Sequence, residues 1–345
     1  MSKIILRNGR VIGNYAEPYF VAEMGTSHFG KVENAMKMVD AAIEAGCDCV
    51  KFQSWTADSL YSKTYYNENR FAKRMVSGFS FSEEQLKVLA AYCKEKGIAF
   101  SSTPYSEQEV DFLVDVCDAP YIKVASMDLN NKKFLRYIGN KQIPIILSTG
   151  MSIYEEVKKA VEVILETGNE QLCLLHCISV YPPKMEDIRL NNMIELRRLF
   201  PMAVIGFSDH SLGCEMANAA TAMGAGLIEK HLTLDRSKIG MDNQMCTEPD
   251  EMKKMIDGCK NIYNAMGTGE RILSEEELQQ KQKMRRSVIV TRDVKCGEVL
   301  DETFLSAKRP ATGIPLEKWD AIIGKKVNRD IEADTVIFEN DIIWE

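Results

Sequence analysis

YFVAEMGTSHFGKVENAMKMVDAAIEAGCDCVKFQ (19–53) reads as strand, helix, strand. Its ends are short apolar runs, 19–23 (YFVAE) and 48–53 (DCVKFQ), and its middle, 32–46, has helical spacing and stops at Gly46. The alternation continues outward. Apolar runs recur at 98–103 (IAFSST), 121–126 (YIKVAS), 144–149 (PIILST), 172–177 (LCLLHC), 203–209 (AVIGFSD) and 227–231 (LIEKH), which with the first two makes eight. SEEQLKVLAAYCKEKG (82–97) and YEEVKKAVEVILETG (154–168) fill two of the intervals with helical periodicity and end in Gly, and Ser82 with Glu84 and Gln85 supplies an N-terminal cap region. Strands separated by helices must run parallel, because a parallel pair needs a long crossover. Eight such units predict an α/β chain closed into a (β/α)8 TIM barrel.

Around that core the organisation is simple. Residues 3–14 predict a hairpin turning at Asn8-Gly9. The long 54–81 insertion, with Trp55, Tyr61, Tyr65 and Tyr66, is expected above the barrel mouth after the second barrel strand. The predicted domains are a barrel with its hairpin over 1–267, a charged linker over 268–286 and a small β-rich domain over 287–345. A module of that size is marginal on its own and is expected to pack on something else, including another subunit.

Composition narrows the function classes. Of the 345 residues 45% are hydrophobic and 27% charged, an ordinary globular balance. A net charge of −7 and a pI near 5.4 argue against a nucleic-acid partner. They leave room for a local basic pocket that takes a small anion. MSKIILRNGR shows no apolar secretory core, and no run approaches a membrane span, so a cytoplasmic location with no membrane partner is expected. The ten cysteines include no C-x-x-C pair and are read as reduced thiols.

In a parallel barrel, chemistry sits at the C-terminal strand ends. Each apolar run here ends in polar or ionisable residues: Glu23; Lys51 and Gln53; Ser102 and Thr103; Lys123 and Ser126, with Asp128 beyond; Ser148 and Thr149; His176 and Ser179; Ser208-Asp209-His210; Glu229-Lys230-His231. Such groups are costly to bury unpaired, so they must meet each other or a ligand. Lys51 and Lys123 with the hydroxyls of Thr103, Ser126, Ser148 and Ser208 suit phosphate and carboxylate oxygens. His210 and His231, on neighbouring strands, can place two imidazoles on one divalent ion, with Glu23 and Asp209 nearby or Asp209 as an orienting carboxylate.

Those residues resemble the sialic acid synthase family: N-acetylneuraminate, legionaminate and pseudaminate synthases and the related spore-coat polysaccharide synthases. The matching segments run in order along nearly the whole chain: AEMGTSHFG (22–30), VKFQ (50–53), SSTPYS (101–106), YIKVASMD (121–128), ILSTGM (146–151), LLHCISVYPP (174–183), IGFSDHSLG (205–213) and IEKHLTLD (228–235). RRSVIVTRDVKCGEVL (285–300) and KRPATGI (308–314) resemble the antifreeze-like (SAF, β-clip) domain that ends those enzymes.

The resemblance implies condensation of phosphoenolpyruvate with an open-chain acylamino-mannose-type sugar, giving a nonulosonate and phosphate. Phosphoenolpyruvate would lie over Lys51, Thr103, Lys123, Ser126, Ser148 and Ser208. Mn2+ or Mg2+ would sit on His210 and His231, and Glu23 would stabilise the cationic centre or act as general base. Gln53, Tyr105, Asp128, Tyr181 and Asp242 would face the sugar. Arg309, of the KRP motif, would reach it from the other subunit of a domain-swapped homodimer. Three positions depart from the pattern: Ser27 replaces an amide, Ser179 stands where many members carry Asn, and Met241 interrupts a Gly-Pro-Asp, so the sugar's identity does not follow. Two rival classes remain: a Schiff-base aldolase acting on a 2-keto sugar acid through Lys123 or Lys230, and a non-enzymatic surface binder built around the C-terminal domain.

Overall fold

A computed structural model describes residues 2–344. The chain divides into two compact units, Met1–Gly267 and Thr268–Glu345.

In the first unit β1 (Lys3–Ile5) and β2 (Val11–Gly13) form the antiparallel hairpin, with Gly9 at its turn in the left-handed region (φ 84°). Eight parallel strands follow: β3 (Tyr19–Glu23), β4 (Cys49–Gln53), β5 (Ala99–Thr103), β6 (Ile122–Val124), β7 (Ile145–Ser148), β8 (Leu172–Cys177), β9 (Val204–Asp209) and β10 (Leu227–His231). They pair in the order β5-β4-β3-β10-β9-β8-β7-β6, and β5 approaches β6 to bring the ring nearly to closure. This is the eight-stranded barrel the alternation predicts.

Successive side chains in a strand point to opposite faces, and the core divides accordingly. Outward positions such as Phe20, Val50, Phe52, Ile205, Phe207 and Ile228 pack under the helices in one large cluster. Inward positions such as Tyr19, Val21, Cys49, Tyr121, Ile146, Leu175, Val204 and Leu227 fill the barrel's lower interior, and Ile4, Leu6 and Ile12 of the hairpin join them. The hairpin is therefore the plug of the barrel's N-terminal end.

The helix at Glu83–Lys96 begins with a capping box at Ser82 and Gln85 and ends at the left-handed Gly97. Residues 54–81 fold into three short helices, Ala57–Leu60, Lys63–Glu68 and Arg70–Phe79, and stack Tyr61 on Tyr65. All ten cysteines are free thiols. Among the described residues, no helix is long and apolar enough to cross a membrane.

The second unit begins differently from the expected linker. Residues 275–284 form a helix capped by Ser274, because a Glu-rich first turn and basic last turn suit the helix dipole. The rest is a small β fold whose core includes Val288, Val290, Leu300, Phe304, Ile314 and Ile337. The buried Ser287 hydroxyl donates to Pro310 O (2.7 Å) and accepts from Gly313 N–H (2.9 Å), which pins the loop carrying Arg309.

Candidate active site

The inward residues at the C-terminal ends of the strands open into a cavity of about 410 Å³. Glu23, Lys51, Thr103, Lys123, Ser126, Ser148, Ser208, His210, Glu229 and His231 line it together. The convergence expected from the strand tips is present. At the floor, Lys51 donates to Thr103 Oγ1 (3.0 Å) and pairs with Glu23, while Lys123 donates to Ser148 Oγ (2.7 Å). Glu229 lies between the two ammonium groups, 3.8 Å from Lys51 and 3.7 Å from Lys123, and accepts from Ser208 Oγ (3.0 Å). Ser126 Oγ accepts from Gly150 N–H (3.1 Å).

Charge states follow from these contacts. Burial opposes ionisation of Glu229, but Lys123, Lys51 and the Ser208 hydrogen bond outweigh it and pull its carboxyl down to about 2. For Lys51 burial is outweighed by Glu229 and Glu23, which hold its pKa above the ordinary value. For Lys123 burial wins over the attraction of Glu229, and its pKa falls. The floor is thus a matched set of buried charges and hydroxyls, the inventory that receives anionic oxygens in place of water.

Above the lysines stand two imidazoles with ring centroids 5.4 Å apart. His210 Nδ1 is 2.7 Å from Ile178 O, and a carbonyl only accepts, so Nδ1 carries the proton and Nε2 keeps its lone pair. Burial, then the neighbouring His231, pushes His210 down to about 3 and keeps it neutral. His231 Nδ1 is 3.1 Å from Asp242 Oδ2, within ion-pair distance though not aligned as a hydrogen bond. Burial resists protonation of His231, but Asp242 and Cys246 raise its pKa well above the ordinary value. Thr26 Oγ1 donates to the other Asp242 oxygen (2.8 Å). With the Nδ1 side of each ring facing a partner, the two Nε2 atoms are what a divalent ion would use, and the donor set fits one. A second group, His231 Nδ1, Asp242 and Cys246, brings ligand atoms within 4.8 Å of one another on the far side of that ring.

Other expected residues take varied places. Gln53 donates to Glu23 Oε1 (3.0 Å) and accepts from Trp55 Nε1 (2.7 Å), so the insertion is tied to the floor through one amide. Gly25 N–H also donates to Glu23 Oε1 (2.9 Å). Tyr105, Tyr181 and Asp242 line the cavity, and Tyr181 lies over His210 with centroids 4.2 Å apart. Asp128 does not line it: it sits in a 3-10 turn and accepts from Asn131 Nδ2 (3.3 Å). Arg309 belongs to the second unit, where it is exposed.

Strand parity explains which polar tips stay outside. Lys230 and Asp209 point outward and pair at 2.6 Å, with Lys230 also donating to Ser211 O (2.8 Å). Asp209 is therefore neither beside the imidazoles nor their orienting carboxylate, a role the geometry gives to Asp242. His176 points outward, bonded to Ile188 O and stacked on Phe207. Ser102 bonds Ser54 (2.5 Å) on the same outer face, and His28 stacks on Phe81. Ser27 is buried, its hydroxyl 3.6 Å from Cys246 Sγ, and it does not line the cavity. Sequence reasoning assigned no role to Glu229, Trp55, Met127 or Met151, all of which line it.

Residues 38–271 match the NeuB family and residues 285–343 match the SAF domain. The chain is 34% identical to the N,N'-diacetyllegionaminic acid synthase of Legionella pneumophila, over 95% of this chain and 94% of that one. It is 30% identical to the N-acetylneuraminate-9-phosphate synthase of Drosophila melanogaster, over 94% and 96%. Among solved structures it resembles the spore coat polysaccharide biosynthesis protein spsE of Bacillus subtilis, with a TM-score of 0.69, 31% identity and full coverage of both chains.

Proposed function

The chain belongs to the NeuB family, and from that premise we propose that it joins phosphoenolpyruvate to the open-chain form of an acylamino aldose, with water, to give a nonulosonic acid and phosphate. One observation carries the reading: two buried ammonium groups and a set of hydroxyls form the floor of a cavity whose wall holds two imidazoles. Lys51, Lys123, Thr103, Ser126, Ser148 and Ser208 receive the phosphate and carboxylate oxygens. The imidazoles of His210 and His231 would hold a Mn2+ or Mg2+ ion, which would supply Lewis-acid polarisation of the aldehyde oxygen.

The methylene carbon of phosphoenolpyruvate then bonds to the aldehyde carbon, whose oxygen takes a proton, and positive charge develops on the adjacent carbon, the one that carries the phosphate oxygen. Glu23, fixed by Gly25, Gln53 and Lys51, faces that charge and takes the proton of the water that adds there. Loss of phosphate by C–O cleavage leaves the keto acid. Gln53, Tyr105, Tyr181 and Asp242 position the sugar. Arg309 contacts it from the partner subunit of a domain-swapped homodimer.

The test is phosphate release from phosphoenolpyruvate with Mn2+ across hexosamine-type aldehydes. Turnover that requires the metal, and is lost in Glu23→Gln and His210→Ala, supports the proposal; metal-independent turnover refutes it. The Schiff-base alternative has one observation in its favour, the lowered pKa of Lys123, and one against it, the engagement of Lys230 outside the cavity. Borohydride trapping of a covalent adduct on Lys123 would establish that alternative instead.

A further inference from the structure

The ring of His231 has two nitrogens in two different surroundings. Nε2 is on the His210 side, and Nδ1 is on the side of Asp242 and Cys246. Nδ1, a carboxylate oxygen of Asp242 and Cys246 Sγ all lie within 4.8 Å of one another. His231 is 6% exposed, and its Nδ1 has no aligned hydrogen-bond partner among the described residues, although Asp242 Oδ2 is 3.1 Å away. A buried ring nitrogen left in this way is costly unless something else meets it.

The chain holds these three groups in place. Thr26 Oγ1 donates to the other Asp242 oxygen (2.8 Å). Cys246 Sγ donates to Asp242 O (3.2 Å) and is 3.6 Å from the hydroxyl of buried Ser27, one of the positions that depart from the family pattern. Gly25 runs past the same cluster. A Cβ there would lie 2.6 Å from Asp242 Oδ2 and 3.2 Å from His231 Nδ1, so no side chain fills the approach to the pair. Asp242 lines the cavity, which gives an ion a way in, and Cys246 lies fully buried behind it.

Thiolate, imidazole and carboxylate together suit Zn2+ and Co2+, whereas Mg2+ and Mn2+ favour oxygen ligands and gain little from sulfur. A divalent ion on one thiolate, one carboxylate and one neutral imidazole is also a neutral set, which lowers the cost of burying it. We infer that His231, Asp242 and Cys246 form a second, thiophilic metal site that takes Zn2+ or Co2+ and excludes an ion from His210 and His231. A neutral imidazole has one lone pair. An ion on Nδ1 leaves the proton on Nε2 and so removes His231 from the other site; an ion on Nε2 keeps the proton on Nδ1. Binding on the thiol side expels the Cys246 thiol proton and the Nδ1 proton to solvent, with no redox change. The exclusion rests on the proposed role of His210 and His231 as metal ligands; the thiol site does not.

The full chain, freed of metal and titrated with Co2+ alone, should develop a thiolate-to-cobalt charge-transfer absorption in the near ultraviolet. The band should persist in Cys177→Ser, which removes the thiol that lines the cavity, and vanish in Cys246→Ser. Zinc K-edge absorption of the wild-type chain needs no variant: a sulfur neighbour at about 2.3 Å is expected. In the Mn2+-loaded chain Zn2+ should release Mn2+, read by electron paramagnetic resonance. Cys246→Ser should need about tenfold more Zn2+ or higher, since a lost ligand costs at least as much as a lost outer partner. An absent band, a band that persists in Cys246→Ser, or zinc surrounded by nitrogen and oxygen alone overturns the site and leaves the synthase reading standing. Mn2+ retained beside a sulfur-bound Zn2+, or an unshifted Zn2+ requirement in Cys246→Ser, overturns the exclusion. A cobalt band in a chain that never binds Mn2+ supports the thiol site and refutes the reading of His210 and His231.

Discussion

Glu229→Gln tests the electrostatics of the floor directly. The substitution keeps shape and an acceptor for Ser208 but removes the charge between Lys51 and Lys123. At 3.7–3.8 Å and an effective dielectric near 20, each lysine attracts the carboxylate by roughly 4 kcal/mol, and burial opposes both. The net is read from the carboxyl itself: depression from 4.5 to about 2 corresponds to about 3 kcal/mol of folded-state stabilisation. A carboxyl depressed on folding stabilises fully above its unfolded pKa and loses that contribution as pH falls through the folded value. Wild type and Glu229→Gln should therefore differ by about 3 kcal/mol, constantly from pH 8 to 5, with the gap narrowing below about 4.5. Trp55 is the only tryptophan of the first unit. Urea unfolding followed by its fluorescence, in a Trp319→Phe/Trp344→Phe background, isolates the barrel transition. A loss below 1 kcal/mol, or a gap that widens as pH falls, would falsify the assignment of Glu229 as counter-ion to both lysines.

Two further substitutions address neighbouring elements. Asp209→Asn strands Lys230, whose side chain is 2% exposed, and should cost about 3–5 kcal/mol, whereas Asp209→Leu/Lys230→Met should unfold within about 2 kcal/mol of wild type; equal losses in both would refute the isolated-pair picture. Gly25→Ala places a methyl 2.6 Å from Asp242 Oδ2 and 3.2 Å from His231 Nδ1 at a left-handed φ of 47°. Mn2+ affinity, measured by electron paramagnetic resonance, should fall about tenfold or more, and unchanged binding would separate Asp242 from the imidazoles it is held to position.

The barrel was legible because helix and strand periods alternate regularly, and the floor because Lys51, Lys123 and Glu23 end their strands. The misplacements share one cause. A strand end is not a single tip, because neighbours in a strand face opposite ways: Glu229 and His231 enter the barrel while Lys230 between them cannot, and Ser208 and His210 exclude Asp209. The signal was available, since Leu227 and Val204 set the parity of each strand. Asp242 is different. It reaches His231 from a loop eleven residues downstream, and no local pattern encodes that approach; only the family resemblance pointed to it. The helix at 275–284 lies inside the segment expected as a charged linker, although its acidic start and basic end are ordinary helix-terminus chemistry.

The hairpin plug has a kinetic consequence. With Ile4, Leu6 and Ile12 sealing the bottom of the barrel, the cavity is a shaft with one door, and traffic through it must queue. A ligand on the lysines has to enter before anything occupies the rim and cannot depart until the rim clears. Saturating the upper compartment should therefore slow exchange of an anion from the lower one without weakening its grip.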